Sequence, residues 1–180
     1  SVGGTHLHTS LKQLSALGVD TVSVSAGSTI SVDLGSLGAG DVGGTGVHLP
    51  HFVSTTSGID DITVNLDVAN LGQLHTAAAT IGEIGLKDIG IDNVQINLSS
   101  TKELGADGYQ SSLNDLLSAD NQERLLSDLN ALRADGHGLN VSTIDVGAGG
   151  ASHNTGLHIT QSQASTLISD GLHFADHDNI

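Results

Sequence analysis

The chain has 180 residues, and its 37% apolar content is enough to close the core of one domain or of two small ones. It contains 20 acidic and 5 basic residues, a formal net charge of −15, and no cysteine, so a disulfide framework and thiolate metal sites are excluded. The negative charge argues against nucleic acid and anionic membranes as partners, and an aromatic content of 2% argues against sugar-stacking and nucleobase sites.

The first predicted element is a helix that begins at Ser10 and ends at Gly18. Its start has the Ser-x-x-Gln spacing of a capping box, and a glycine after the last apolar residue is the usual left-handed helix terminator. The apolar side of this helix is formed by Leu11, Leu14 and Leu17. Two strands are predicted next from their apolar residues, the first a buried strand with Val19, Val22 and Val24 and the second with Ile30, Val32 and Leu34.

The stretch from Gly35 to Gly58 is rich in Gly, Ser and Thr and contains the single proline. It predicts a long loop or a pair of irregular edge strands. Clear alternation returns after Asp61 and predicts a strand with Ile62, Val64, Leu66 and Val68. A helix is then predicted as far as Gly90, with the apolar residues Leu71, Leu74, Ala78, Ile81 and Ile84, and another strand follows it.

The second half of the chain repeats this alternation of helix and strand. A helical region from about Ser111 to Ala134 is predicted in two pieces, and the second piece starts near Asp120. The next strand carries Leu139, Val141, Ile144 and Val146, and a Gly-rich loop runs from Gly147 to Asn154. The last helix starts at Thr160, with Gln163 at capping-box spacing, and is expected to pack Ala164, Leu167 and Ile168 before a strand with Leu172 and Phe174.

One phrase occurs twice in the chain. LGVDTVSV at 17–24 and IGIDNVQI at 89–96 lie 72 residues apart and match at glycine, aspartate and the apolar positions. More loosely, a Leu-x-x-x-Gly sequence precedes an apolar strand four times, at Leu14/Gly18, Leu86/Gly90, Leu132/Gly136 and Leu167/Gly171. The repetition predicts an α/β fold built from helix–glycine–strand units, with a parallel or mixed sheet, right-handed crossovers, and short helices covering at least one face.

The two ends of the chain also match an internal sequence. Joined end to end, Asp178–Ile180 and Ser1–Val2 give DNISV, which is similar to DDITV at 60–64. We therefore expect 1–180 to be a single module, one period or a permuted period of a tandem array, with 1–60, 61–108 and 109–180 as candidate sub-units.

Ten histidines and several paired aspartates supply candidate metal ligands. The histidine candidates for zinc are His6, His8, His48, His51, His173 and His177, and the carboxylate candidates for calcium are Asp60, Asp61, Asp176 and Asp178. The simpler interpretation is that the histidines bond to exposed backbone groups at helix and strand starts and that the aspartates are solvated. We therefore expect no cofactor, with calcium as the first alternative and zinc as the second.

Catalytic motifs are absent from the sequence. It has no Gly-x-Ser-x-Gly elbow, no Gly-x-x-x-x-Gly-Lys phosphate-binding loop and no His-Glu-x-x-His. We expect the chain not to be an enzyme. The alternative, a hydrolase, would need a concave site with a serine or a carboxylate pair of shifted pKa. No apolar run approaches 18 residues, so membrane insertion is not expected either.

The acidic, cysteine-free, Gly- and Ser-rich composition and the LGVDTVSV/IGIDNVQI pair resemble the repeat regions of large bacterial surface adhesins exported by type I secretion. The resemblance implies a secreted or cell-surface structural repeat of a filament or stalk, with a role in attachment or biofilm and with neighbouring copies as partners. Stalk modules of that family are usually β-sandwiches, whereas this chain alternates helices and strands. The alternative is an extracellular metal- or glycan-binding module that uses its histidines and the loops at Gly35–Gly58 and Gly147–Asn154.

Overall fold

The computed structural model describes residues 14, 16–25, 29–31, 50–55, 62–98, 105–134, 138–146, 157–176 and 178. The strands in these residues are β1 (Thr21–Val24), β2 (Thr29–Ser31), β3 (His51–Ser54), β4 (Thr63–Val68), β5 (Asn93–Leu98), β6 (Asn140–Asp145) and β7 (His173–Phe174). The helices are α1 (Leu71–Ile84), α2 (Gly105–Leu116), α3 (Gln122–Arg133) and α4 (Gln161–Ser169), with short 3-10 turns at Leu86–Ile89 and Ala119–Asn121.

Every strand pair is parallel, and the strand order follows the chain. The larger sheet has the order β2-β4-β5-β6-β7, and β1 pairs with β3 in a second, two-stranded sheet. Helices connect β4 to β5, β5 to β6 and β6 to β7. The predicted α/β fold is confirmed, and of the two sheet types that the sequence allowed, the structure has the parallel one.

The two faces of the larger sheet have opposite character because side chains alternate along each strand. The apolar residues of neighbouring strands are in register, and helices α1, α2 and α3 contact β4, β5 and β6. The buried residues of this face include Val64, Leu66, Val68, Val94, Ile96, Leu98, Val141, Ile144 and Val146. One continuous apolar cluster extends from Phe52 to Leu172 and contains these residues together with the buried leucines of the helices.

A β-bulge explains an irregular spacing in the sequence. Val141 and Ile144 are three residues apart, which breaks the alternation, yet both are buried. The register between β5 and β6 shifts here, from Asn93↔Asn140 to Gln95↔Thr143. One extra residue in β6 therefore returns Ile144 to the apolar face.

Two predicted helix boundaries are wrong. The helix expected to reach Gly90 ends at Ile84, because Gly85 takes a left-handed conformation and its N–H bonds to the Ile81 carbonyl oxygen at 3.0 Å; the 3-10 turn then continues to Gly90. The first helix of the second half begins at Gly105 and not near Ser111. Apart from Tyr109, residues 105–110 are polar or small, and the sequence pattern shows no apolar stripe there.

Two apolar side chains expected in the core are exposed. Ile168 is 80% exposed because α4 buries the positions i, i+3, i+4 and i+7 from Gln163, which turns the neighbour of Leu167 away from the sheet. Leu17, expected on the apolar side of the first helix, is 78% exposed. Val22 and Val24 of the strand expected to be buried are only partly buried.

Candidate functional site

The two copies of the repeated phrase form the same turn. Gly18 and Gly90 have φ angles of 70° and 86°, which favour glycine. After each glycine, the next N–H bonds back to the leucine five residues earlier: Val19 to Leu14 at 3.1 Å, and Ile91 to Leu86 at 3.0 Å. This six-to-one bond is that of a Schellman motif, which ends a helix and redirects the chain. The third predicted stop, Gly171, also has a positive φ and is followed by the same bond, from Leu172 to Leu167, whereas Gly136 lies outside the described residues.

The match between the copies continues into the strands. Asp20 and Asp92 occupy equivalent positions of the phrase, and each accepts, through its backbone carbonyl, the N–H of the residue that starts the next parallel strand. The donors are His51 for Asp20 and Asn140 for Asp92, both at 2.9 Å. The repeated phrase is therefore a joint that turns a helical segment into a strand and aligns the following strand beside it.

The two joints differ in what covers them. A Cβ atom on Gly90 would overlap the Phe52 carbonyl oxygen and lie 3.1 Å from Cε1 of His51, because β3 passes directly over this turn. Among the described residues, a Cβ atom on Gly18 would meet nothing within 4 Å. The residue before each glycine shows the same contrast, since Ile89 is 9% exposed and Leu17 is 78% exposed. Within the described part of the chain, no element thus covers the first joint, whereas β3 covers the second.

The face of the sheet opposite the helices is polar. We call it the polar face; its residues are Thr63, Asn65, Asp67, Asn93, Gln95, Asn97, Asn140, Thr143, Asp145 and His173. Side-chain hydrogen bonds join neighbouring strands across it. The pairs are Asn97 Nδ2 to Asp67 Oδ1 at 2.5 Å, Gln95 Nε2 to Asp145 Oδ2 at 2.7 Å, Asn140 Nδ2 to Asn93 Oδ1 at 2.9 Å, and Thr143 Oγ1 with His173 Nε2 at 3.3 Å.

These pairs make the polar face a cross-strand ladder rather than a set of free groups. Each adjacent strand pair from β4 to β7 has at least one such bond, which stabilises the register of the sheet. Asn65 and Asp145 are 3% and 4% exposed, so part of the polar face is buried. Asn65 Oδ1 is buried without a hydrogen-bond donor among the described residues.

Helix α2 binds the starts of two other helices through adjacent side chains. Asp115 Oδ2 accepts the N–H of Leu71, the first residue of α1, at 2.7 Å. The neighbouring Asn114 Oδ1 accepts from Gln163 Nε2 in the first turn of α4 at 3.0 Å. Gln110 adds two bonds at 2.8 Å to the backbone N–H and carbonyl of His158. A helix N-terminus leaves backbone donors unpaired and favours negative charge, so Asp115 stabilises the start of α1. Together with the bonds from Asn114 and Gln110, it connects α2 to the starts of both α1 and α4.

The predicted capping box at the start of α4 is confirmed. Thr160 Oγ1 accepts the Gln163 N–H at 3.2 Å, and Gln163 Oε1 accepts the Thr160 N–H at 2.8 Å. Because Gln163 also bonds to Asn114, this box belongs to the connection between α2 and α4.

Replacing Thr160 by alanine is expected to lower the free energy of unfolding by about 1 kcal/mol, since the Gln163 N–H loses its acceptor. Thr160→Ser keeps the hydroxyl oxygen and is the matched control. Urea unfolding of both variants provides the measurement. Equal stability of Thr160→Ala and Thr160→Ser would show that the hydroxyl does not cap the helix.

One histidine pairs with a buried carboxylate. His75 Nδ1 on α1 lies 2.7 Å from Asp128 Oδ1 on α3, and the two side chains are 57% and 6% exposed. Sequence reasoning expected the histidine in the Leu74-His75 phrase to bond to backbone groups at a helix start. The structure differs because α1 and α3 pack side by side and bring Asp128 over the helix. Only this packing reveals the pair, because the two residues are 53 positions apart.

Few of the predicted metal ligands fall within the described residues. His51 and His173 are exposed on different strands, β3 and β7. Asp178 uses its Oδ2 to accept the Val146 N–H at 3.1 Å, and Asp176 is exposed. No group of three or more His, Asp or Glu side chains in the described part of the chain is arranged to hold a metal ion. The remaining candidates, His6, His8, His48, His177, Asp60 and Asp61, lie outside the described residues.

Comparisons with known proteins return no relatives: no family model matches the chain, and neither a curated protein nor a solved structure is similar to it. The interpretation of the joints and of the polar face therefore depends on their geometry. In the described residues no helix combines the length and the apolar character needed to cross a membrane.

Proposed function

We propose that the chain is a structural repeat of a bacterial cell-surface filament or adhesin stalk, and that it associates with neighbouring copies of itself by completing strands. The observation that carries this proposal is the strand order, which follows the chain from β2 to β7 with every pair parallel. A sheet that grows in one direction can be extended by a further copy without any change of topology.

The duplicated joint supports the same proposal. Two copies of one phrase make the same turn, the same back-bond to leucine and the same ladder bond to the next strand. In a repeat protein each unit buries its apolar surface against the next, and stability is the sum of unit and interface terms. The bare first joint and the covered second joint fit a chain whose first unit is completed by a preceding copy.

The composition also fits this role. A net charge of −15 favours solubility at high copy number, and an association driven by strand pairing requires neither cofactor nor catalytic group. The proposal places the protein outside the cell, with copies of itself as partners and with no bound nucleic acid.

The alternative proposal is a binding module for a metal or a glycan. One observation favours it: the polar face is lined with amide and carboxylate groups, and Asn65 Oδ1 is buried there without a donor among the described residues. The two Gly-rich loops that sequence analysis assigned to this role lie largely outside the described residues. Elemental analysis of the purified chain separates the two proposals, since stoichiometric metal would favour the binding module.

A direct fusion of two complete chains tests the stalk proposal. If the copies dock, the added interface contributes about 2 kcal/mol, and the melting temperature is expected to rise by about 3 °C, with both copies unfolding in one transition. The matched control is the single chain at twice the molar concentration, which contains the same number of copies without the covalent joint. A fusion that melts at the temperature of the single chain, as independent units do, would contradict the proposal.

A further inference from the structure

Strand β1 has one edge paired and one edge directed away from its partner. The N–H groups of His51 and Thr55 bond to the carbonyl oxygens of Asp20 and Val24. In a parallel ladder the backbone groups of alternate residues point to the same side, so even-numbered residues of β1 face β3. The N–H groups of Thr21 and Ser23 therefore point to the opposite edge, where no strand pairs with β1 in the described part of the chain.

The equivalent edge of β5 is occupied. Asn93 stands in the second phrase where Thr21 stands in the first, and its N–H bonds to the carbonyl oxygen of Ile62 at 3.1 Å. Strand β4 continues along this edge in register with β5, from Thr63↔Asn93 onward. Strand β4 beside β5 is thus an example, within this fold, of the neighbour that β1 does not have among the described residues.

The bare joint lies at the start of the same strand. No described residue approaches the Cβ position of Gly18, whereas the Phe52 backbone lies at that of Gly90, and Leu17 is 78% exposed where Ile89 is 9% exposed. An isolated exposed leucine is ordinary, but here its counterpart in the same motif shows how it becomes buried. The covering element in the second unit is β3, which precedes β4 in the chain.

We propose that the outward edge of β1, with Leu17 at its start, is the acceptor site for a strand of a second copy of this chain, which lies parallel to β1 as β4 lies beside β5. This inference rests on the proposed function and names the surface through which it operates. The incoming strand accepts backbone hydrogen bonds from Thr21 and Ser23, and the segment before it covers Leu17. Since both copies are strongly acidic, added salt is expected to strengthen the contact by screening their repulsion.

The test is Ser23→Pro placed in one copy of the two-chain fusion. Proline removes an N–H from the outward edge and leaves the ladder to β3 intact. In the downstream copy it is expected to abolish the gain of about 3 °C that the fusion has over the single chain. In the upstream copy, whose β1 has no preceding neighbour, the same substitution is expected to preserve that gain. The upstream variant also shows whether the substituted unit folds.

Amide hydrogen exchange with isotope labelling of one copy at a time provides a second readout. The Thr21 and Ser23 amides are expected to exchange at least about 10-fold more slowly in the downstream copy than in the upstream copy, because only the former are hydrogen-bonded. One contrary result is a fusion more stable than the single chain in which Ser23→Pro has the same effect in either copy and the Thr21 and Ser23 amides exchange at equal rates in both. The acceptor strand is then not β1, so this inference fails while the stalk proposal stands. If the fusion gains nothing, both fail.

Discussion

Gly90→Ala is expected to be among the most damaging single substitutions in the chain. The added methyl group would overlap the Phe52 carbonyl oxygen, and neither partner is a flexible side chain that can move aside. The φ angle of 86° adds a penalty of about 1 kcal/mol or more for any residue with a Cβ atom. With about 2 kcal/mol for overpacking, the expected loss is about 3 kcal/mol in the free energy of unfolding, measured by urea denaturation.

Gly18→Ala is the matched control, because Gly18 occupies the same position of the repeated phrase. Its φ angle is 70°, and its Cβ atom would meet no atom of the described residues within 4 Å. Only the conformational penalty, about 1 kcal/mol, should remain. The difference between the two variants isolates the contact between β3 and the second joint. Equal losses would mean that β3 does not lie over Gly90 in solution.

Arg133→Met is expected to destabilise the chain by about 3 kcal/mol. Arg133 Nε and Nη2 both donate to the Val141 carbonyl oxygen, the former at 2.8 Å, and Nη1 donates to the Asp170 carbonyl oxygen at 2.8 Å. One side chain thus connects the end of α3 to β6 and to the end of α4. Hydrogen bonds from a charged donor contribute about 1.5 to 3 kcal/mol each, and methionine keeps the aliphatic volume without them.

Arg124→Met supplies the control on the same helix, since Arg124 is exposed. It should change the free energy of unfolding by less than about 0.5 kcal/mol. Burial lowers the pKa of the Arg133 guanidinium and the nearby Asp170 carboxylate opposes this change, yet the group stays cationic across the working pH range. The difference between the two variants should therefore be the same at pH 6 and pH 8. Similar losses for both variants would contradict a bridging role for Arg133.

Local periodicity was sufficient to predict most of the regular elements. Alternation predicted β4, the second copy of the repeated phrase predicted β5, the capping-box spacing predicted the start of α4, and glycine after leucine predicted the joints at Gly18 and Gly90. In each case the physical cause acts between residues that are close in the chain, so the local sequence is sufficient to predict the element. The α/β fold class also follows, because short helices between strands leave room for crossover connections, whereas the choice between a parallel and a mixed sheet was left open.

The contacts between units could not be predicted in this way. Asp115 caps α1 across 44 positions of sequence, and Arg133 reaches Asp170 across 37. Both residues are ordinary polar residues of a helix surface until the packing places them. Ile168 shows the same limit, since its exposure depends on which face of α4 meets the sheet. Strand β3 was anticipated only as one of two alternatives for a Gly-rich stretch, because its partner β1 lies 30 residues earlier in the register.

The strand order has a mechanical consequence. Along the row from β2 to β7, each strand is held to its neighbours by ladders whose bonds lie across the strands. Tension applied along this row loads the ladders in series, so the weakest ladder opens first and strands detach in succession instead of shearing together. A tether built from such modules would lengthen in small steps under flow and recover them when the load falls.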